Sequence, residues 1–342
     1  MVGVSIVIFL LFNALPVNSA RMTLGQRADM ASVEAIEKEF RLNLPLYQRM
    51  IYYFNDLAPI SFNNLEDSDA PSYLNPDEVS YKALFSMGKI SVVAKLPYLG
   101  KSLQTRRAVS EMIRENIFPT FMLAVSAMII ASIFGILFGV IAAIKQHTAI
   151  DNFLLIFSTL GISQPAQFAG LIIAMIFGNY LREWTGLNSS GNLLTLDLEG
   201  EVIVWKNLLL PAIALGIRPI AIITQLTRSA MLDALGQDYV RTAKAKGLSR
   251  FKVVFKHALR NAMNPVVTSI SGWFAAVLTG AYLIETVFAF HGLGVLTINS
   301  LLMFDFPVVM GTVLLVAAIF VVMNMFTDIL YSILDPRVTV KG

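Results

Sequence analysis

Five stretches of the chain, at roughly 119–144, 151–180, 207–230, 266–289 and 308–332, are apolar and long enough to cross the hydrocarbon core of a bilayer, which takes about 20 residues. Composition agrees: 56% of the residues are hydrophobic and 14% charged, where a soluble domain carries about 25% charge. The chain is read as an integral membrane protein of the all-α class. Residues 1–17, MVGVSIVIFLLFNALPV, form a shorter apolar run. No Lys or Arg precedes it, and Asn18-Ser19-Ala20 is a poor cleavage site, so it reads as a first transmembrane helix without its beginning rather than a signal peptide. About six transmembrane helices result.

Lys and Arg in the loops set the orientation. The short 145–150 loop with Lys145, the basic segment after residue 230 and the tail with Arg337 and Lys341 share the cytoplasmic side. The loops 18–118, 181–206 and 290–307 lie outside, and both termini lie inside. In the outer region, RADMASVEAIEKEFRLNLPLYQRMIYYFNDL suits two helical pieces broken at Pro45. Residues from about Ile60 to Leu96 read as an enlarged extracytoplasmic loop rich in turn-forming Asn, Asp, Ser and Pro. Gly100-Lys101-Ser102 ends like a phosphate-binding loop, but Lys95 occupies the place of its first Gly, so the phosphate cradle is missing. Cysteine is absent and the three histidines, His147, His257 and His291, are far apart, which leaves no metal-ligand spacing. A net charge of +3, concentrated in one segment, is no argument for nucleic acid.

That segment lies between the fourth and fifth spans. From Arg228 to Arg260 there are eight Lys/Arg against two acids, Asp233 and Asp238. Gln237 to Lys246 suits a short helix, and Gly247 is placed to end it in the left-handed conformation that only Gly adopts at little cost. Ser249 can cap a second helix. There Phe251, Val254, Phe255, Ala258, Leu259 and Ala262 follow the spacing of one apolar face, while Lys252, Lys256 and Arg260 line another.

The run DYVRTAKAKGL, then HALRNA and Pro265, resembles the cytoplasmic coupling loop of permeases in binding-protein-dependent ABC importers, in particular the B-type permease of the dipeptide/oligopeptide branch. The strict family form has Glu-Ala-Ala before the Gly; Arg241, Thr242 and Ala243 stand there, as is usual in the peptide branch. GAYLIETVFAFHGLG (280–294), DFPVVMG (305–311) and DILYSILDPR (328–337) extend the resemblance, which covers about 1–60 and 97–338. His291 departs from it, since many relatives have Pro there. The resemblance implies a first helix and extracytoplasmic region over 1–118 and a five-helix transporter domain over 119–338, with its coupling loop at 233–265. Asp238, Tyr239, Arg241, Ala243, Lys246, Gly247, Leu248 and His257 would then couple to an ATPase subunit. It also implies partners: a second homologous permease, two ABC ATPase subunits carrying the ATP and Mg, and an extracytoplasmic solute-binding protein. The chain itself would bind no cofactor and perform no chemistry in the bacterial inner membrane, and peptides are the expected solute, with nickel or glutathione as alternatives.

Inside the spans, Gln164 and Gln167 beside Pro165, Arg218, Gln225 and Glu285 are the candidates to line a path. Polar groups at this depth face protein or water, and hydrogen bonding between helices stays open as their other role. Arg218 lies about eleven residues, roughly 16 Å, from either end of its span, too deep to reach the headgroups. A buried pair with Glu285 or a place on the path remains for it. Asp328 near the end of the last span is expected to have a structural partner, and Gly135, Gly139, Gly161 and Gly170 to allow close helix packing. An ion-coupled transporter with an Arg218–Glu285 charge relay is the competing class.

Overall fold

The computed structural model describes residues 2–13, 34, 37–68, 70–76, 78–197 and 200–334. They fall into two compact units, one of residues 1–116 and 296–317, the other of 117–295 and 318–342.

The first unit contains α1 (Val2–Asn13), α2 (Leu46–Leu57) and the strands β1 (Ile60–Asn64), β2 (Tyr81–Met87) and β3 (Ile90–Lys95). Helix α2 starts directly after Pro45, as the sequence predicts; of the helical piece expected before Pro45, residues 34 and 37–39 are helical and half of the stretch lies outside the described residues. The enlarged loop expected at 60–96 carries an antiparallel sheet in the order β1-β3-β2, a detail within a mostly helical fold. Its alternation is inverted in β1, which conceals it from pattern reading. Ser61 and Asn63 point inward, where the Ser61 hydroxyl donates to Asn63 Oδ1 at 2.7 Å and Asn63 Nδ2 donates to the Ser72 carbonyl at 3.2 Å. Ile60 and Phe62 point outward. A small core of Leu74, Val79 and Val93 lies under the sheet. The Gly100-Lys101-Ser102 stretch has a structural job: the Ser102 hydroxyl donates to Asp305 Oδ2 at 2.5 Å, and the Leu103 N–H donates to Asp305 Oδ1 at 3.0 Å.

From residue 109 onward the chain is chiefly helical. It comprises α3 (Val109–Ile144), α4 (Ala149–Ser163), α5 (Ala166–Met175) prolonged by a π-helical stretch Ile176–Tyr180, and the two-stranded β4 (Leu194–Asp197) and β5 (Gly200–Ile203). Then come α6 (Lys206–Leu235), α7 (Asp238–Ala245), a helical turn Arg250–Lys252 that continues as a π-helix over Val253–Leu259, α8 (Arg260–Val287), α9 (Leu293–Leu302) and α10 (Phe306–Leu334). Among the described residues, α3, α6 and α10 are each apolar and long enough to span a bilayer, and two bent pairs add to them. One pair, Ala149–Ser163 with Ala166–Tyr180, is bent by 111°, so the span expected over 151–180 is broken. Pro165 lacks an N–H and forces Gln164 into extended backbone (φ −80°, ψ 138°), which no helix accommodates. The outer loop expected at 290–307 holds the short helix α9.

In the second unit α6 is the central helix. Its Gly216, Ile220, Ile223, Thr227 and Met231 share one buried face. Against that face α3 presents Gly135 and Gly139, where an added Cβ would lie 2.7 Å from Ile223 Cβ and 2.5 Å from Thr227 Cβ. The two backbones approach closely because glycine leaves them room, as expected of a small-xxx-small pair. Leu123, Ala127 and Ala131 of α3, Leu210 and Ala214 of α6, and Val277 and Ile284 of α8 fill the main core. A second core gathers Val140 and Ala143 of α3, Met231 and Ala234 of α6, Val240 and Ala243 of α7, and Val253, Val254, Ala258 and Ala262 beyond.

Candidate functional site

The basic segment folds as the helix-Gly-helix element its sequence predicts. Helix α7 ends at Ala245, and Gly247 follows with φ +73°, the left-handed turn that favours glycine. A Cβ there would meet nothing within 4 Å, so the position is open. The Ser249 hydroxyl accepts from the Lys252 N–H at 3.4 Å and begins the next helix. Asp238, Tyr239, Arg241, Lys246 and Leu248 are exposed, while His257 is half-buried. Ala243 lies in the second core beside Val240, where it fastens α7 and is not presented to a partner.

The expected apolar face of the second helix is corrected. Val254, Ala258 and Ala262 are buried, but Phe251 and Phe255 are 70% and 42% exposed. The π-helix over Val253–Leu259 turns the side chains out of the 3.6-residue phase, so that Val253 takes the inward place. The two rings meet with centroids 4.5 Å apart on the outside of the element. They form an apolar ledge among Arg250, Lys252 and Lys256, all exposed.

A second feature runs along α6 opposite the face that packs on α3. Arg218, Gln225 and Ser229 follow at i, i+7 and i+11, and this chain leaves their stripe uncovered or half-covered. Arg218 makes no ion pair among the described residues, and its guanidinium carbon lies 6.0 Å from the centre of the Trp273 ring of α8. Gln164 is exposed and Gln167 half-buried at the break between α4 and α5.

Glu285 does not meet Arg218. It is fully buried, and each carboxylate oxygen is occupied: Oε1 accepts from the Thr120 hydroxyl at 2.6 Å, and Oε2 accepts from the N–H groups of Gly294 and Val295 at 2.8 and 3.1 Å. The Thr120 hydroxyl in turn accepts from the Leu293 N–H at 2.8 Å. A carboxylate thus caps the first turn of α9, where the free N–H groups and the helix dipole favour negative charge. Gly292 and Gly294 carry no side chain because a Cβ at either would collide with this carboxylate. At His291, the position that departs from the resemblance, the backbone N–H donates to Asn192 Oδ1 at 2.9 Å and the ring Nδ1 lies 3.0 Å from Asn192 Nδ2, which holds the turn before α9. Asp328 is exposed.

One ion pair escaped the sequence reading. Arg228 donates from Nε and an Nη to the two oxygens of Asp151 at 2.7 and 2.8 Å, and the His147 N–H donates to the same carboxylate at 2.9 Å. It fastens the start of α4 to the lower part of α6. The available signal was an acid at the head of an apolar run.

Comparison with known proteins follows the same line. The sequence profile described as "Binding-protein-dependent transport system inner membrane component" matches residues 135–340. The chain is 36% identical to the di/tripeptide transport system permease protein DppB of Pseudomonas aeruginosa (strain UCBPP-PA14), over 98% of this chain and 94% of that protein. It is 31% identical to the glutathione transport system permease protein GsiC of Escherichia coli (strain K12), over 99% of this chain and 94% of that one. A structure of the MetNI methionine ABC transporter in an inward-facing conformation has the same fold, with a TM-score of 0.51 at 14% identity, over 66% of this chain and 97% of that chain.

Proposed function

The chain belongs to the family of binding-protein-dependent transport system inner membrane components, and from that premise we infer that it is an ABC importer permease that forms half of a path for peptides. The names of the DppB and GsiC relatives support a solute built from peptide bonds with a free carboxylate. A second, homologous permease completes the path, two ATPase subunits hold the ATP and Mg and perform the hydrolysis, and a binding protein delivers solute from outside. Both termini lie in the cytoplasm. Closure of the ATPases moves the element around Gly247, and the spans rock with it to open the path alternately to each side.

The observation that carries the peptide reading is Arg218. A guanidinium left in lipid at that depth costs about 2.5–3.5 kcal/mol even on the gentler insertion scale. Its stripe is uncovered by this chain and no acid among the described residues neutralises it. A water-filled path that admits a carboxylate satisfies both facts. Arg218→Gln should therefore assemble, retain ATP hydrolysis and lose uptake, with a smaller loss for peptides whose C-terminus is amidated. Equal losses for free and amidated peptides would remove the carboxylate role. A charge relay from Arg218 to Glu285, which an ion-coupled transporter would use, finds no support in a Glu285 whose oxygens are engaged by α9 and Thr120.

A further inference from the structure

Arg218 has a neighbour that neither composition nor spacing singles out. Trp273 is half-buried on α8, packed against the main core, and its ring stands 6.0 Å from the Arg218 guanidinium carbon. An arginine side chain with no ion pair samples many rotamers, and a planar guanidinium that binds a carboxylate through two parallel N–H groups must hold one orientation. An aromatic face within about 6 Å supplies such a restraint without neutralising the charge, as an acid would. The indole is itself fixed, because it packs against the core that α8 shares with α6. Among the described residues, Trp273 is the one aromatic ring set against this guanidinium.

We propose that Trp273 is a positioning residue for solute recognition: the indole holds the Arg218 guanidinium on the open face of α6 so that it meets the solute carboxylate already oriented. This rests on the reading of Arg218 as a path residue. The test is a double-mutant cycle on the complete transporter in proteoliposomes, with loaded binding protein and a labelled dialanine as solute. Arg218→Gln should lower uptake more than ten-fold, and Trp273→Leu about five-fold through KM rather than the maximal rate. The double variant should be no worse than Arg218→Gln alone, since Trp273 acts only through the arginine. Trp273→Phe, which keeps an aromatic face, should stay within about two-fold of wild type. Losses that multiply in the double variant, or equal losses from Leu and Phe, would overturn the proposal and leave Trp273 a packing residue. If Trp273→Leu fails to assemble, Trp273→Met takes its place in the cycle under the same criteria. Unimpaired uptake by Arg218→Gln would instead refute the underlying path reading. A second readout comes from Trp273 emission in a Trp184→Phe, Trp205→Phe background: removal of the guanidinium by Arg218→Gln should shift it, and an unchanged spectrum counts against contact between the two.

Discussion

Asp151 and Arg228 show how a single pair can fix a helix. Their side chains meet through two parallel hydrogen bonds, and Asp151 is 1% exposed. Removing one partner of such a pair leaves the other charge without its hydrogen bonds. Asp151→Ala should therefore sharply lower the yield and thermal stability of the solubilised protein, whereas Asp151→Asn with Arg228→Gln should recover part of the loss. A single variant as stable as wild type would show that the pair contributes little. Gly247 acts by a different cause. Its φ of +73° disfavours most side chains by roughly 1–2 kcal/mol, yet asparagine visits this region routinely and nothing of the chain crowds the position. Gly247→Asn should keep substrate-stimulated ATP hydrolysis, while Gly247→Leu should reach the membrane and lose it, because the added bulk strains the turn and, on the proposed docking, meets the ATPase. Wild-type stimulation in a reconstituted Gly247→Leu complex would count against docking at this turn.

At the level of elements, the exposed Phe251–Phe255 ledge is the part of the proposed coupling segment with most apolar area to bury. A fully buried aromatic side chain is worth about 1.5–3 kcal/mol, so Phe251→Ala with Phe255→Ala should weaken the affinity of the permease for its ATPase more than ten-fold. Titration of purified ATPase subunits against the detergent-solubilised permeases reads this directly, and an unchanged affinity would place the docking energy elsewhere. This ledge also marks where sequence reading stopped. The Gly247 turn and the Ser249 cap were legible because each depends on local backbone chemistry. The exposure of Phe251 and Phe255 was not, since a π-helix changes the period on which face assignment rests. The break at Gln164-Pro165 was similarly hidden inside an apolar run whose length suited one straight span. Glu285 was legible as a polar group at depth, but its partners are the distant Thr120 hydroxyl and backbone N–H groups of a helix that begins eight residues later, and no local side-chain pattern announces those. Trp273 was invisible for the same reason: its relation to Arg218 exists only once α6 and α8 pack together.

On the scale of the molecule, the three-stranded sheet is a module inserted into the first unit. The chain enters and leaves it at one point, where the Lys95 N–H donates to the Pro59 carbonyl at 3.0 Å and the Tyr98 N–H to the Asp56 carbonyl at 2.9 Å. Arg41 pairs with Asp56 at 2.6 Å beside this junction, and burial pushes the Asp56 carboxyl above its ordinary range against the pull of Arg41 and Lys95. The sheet itself turns apolar residues outward. Ile60, Phe62 and Phe85 are more than half exposed on the face they share with Val92, while serine and asparagine point inward. Such a face is costly in water and is suited to a protein surface, either the solute-binding protein or the second permease. Because the ends of the insertion already touch, residues 60–94 can be replaced by a short Gly-Ser linker without stretching the flanking chain. The shortened protein should assemble with its ATPases and keep basal ATP hydrolysis, since the coupling segment and its core belong to the other unit. On the proposed reading, in which the sheet lies on the side where a binding protein delivers solute, uptake and the stimulation of hydrolysis by loaded binding protein should fall several-fold. Measured side by side in proteoliposomes, a loss of both basal and stimulated hydrolysis would mean that the module supports folding of the whole chain, and normal uptake would mean that its apolar face serves no partner in transport.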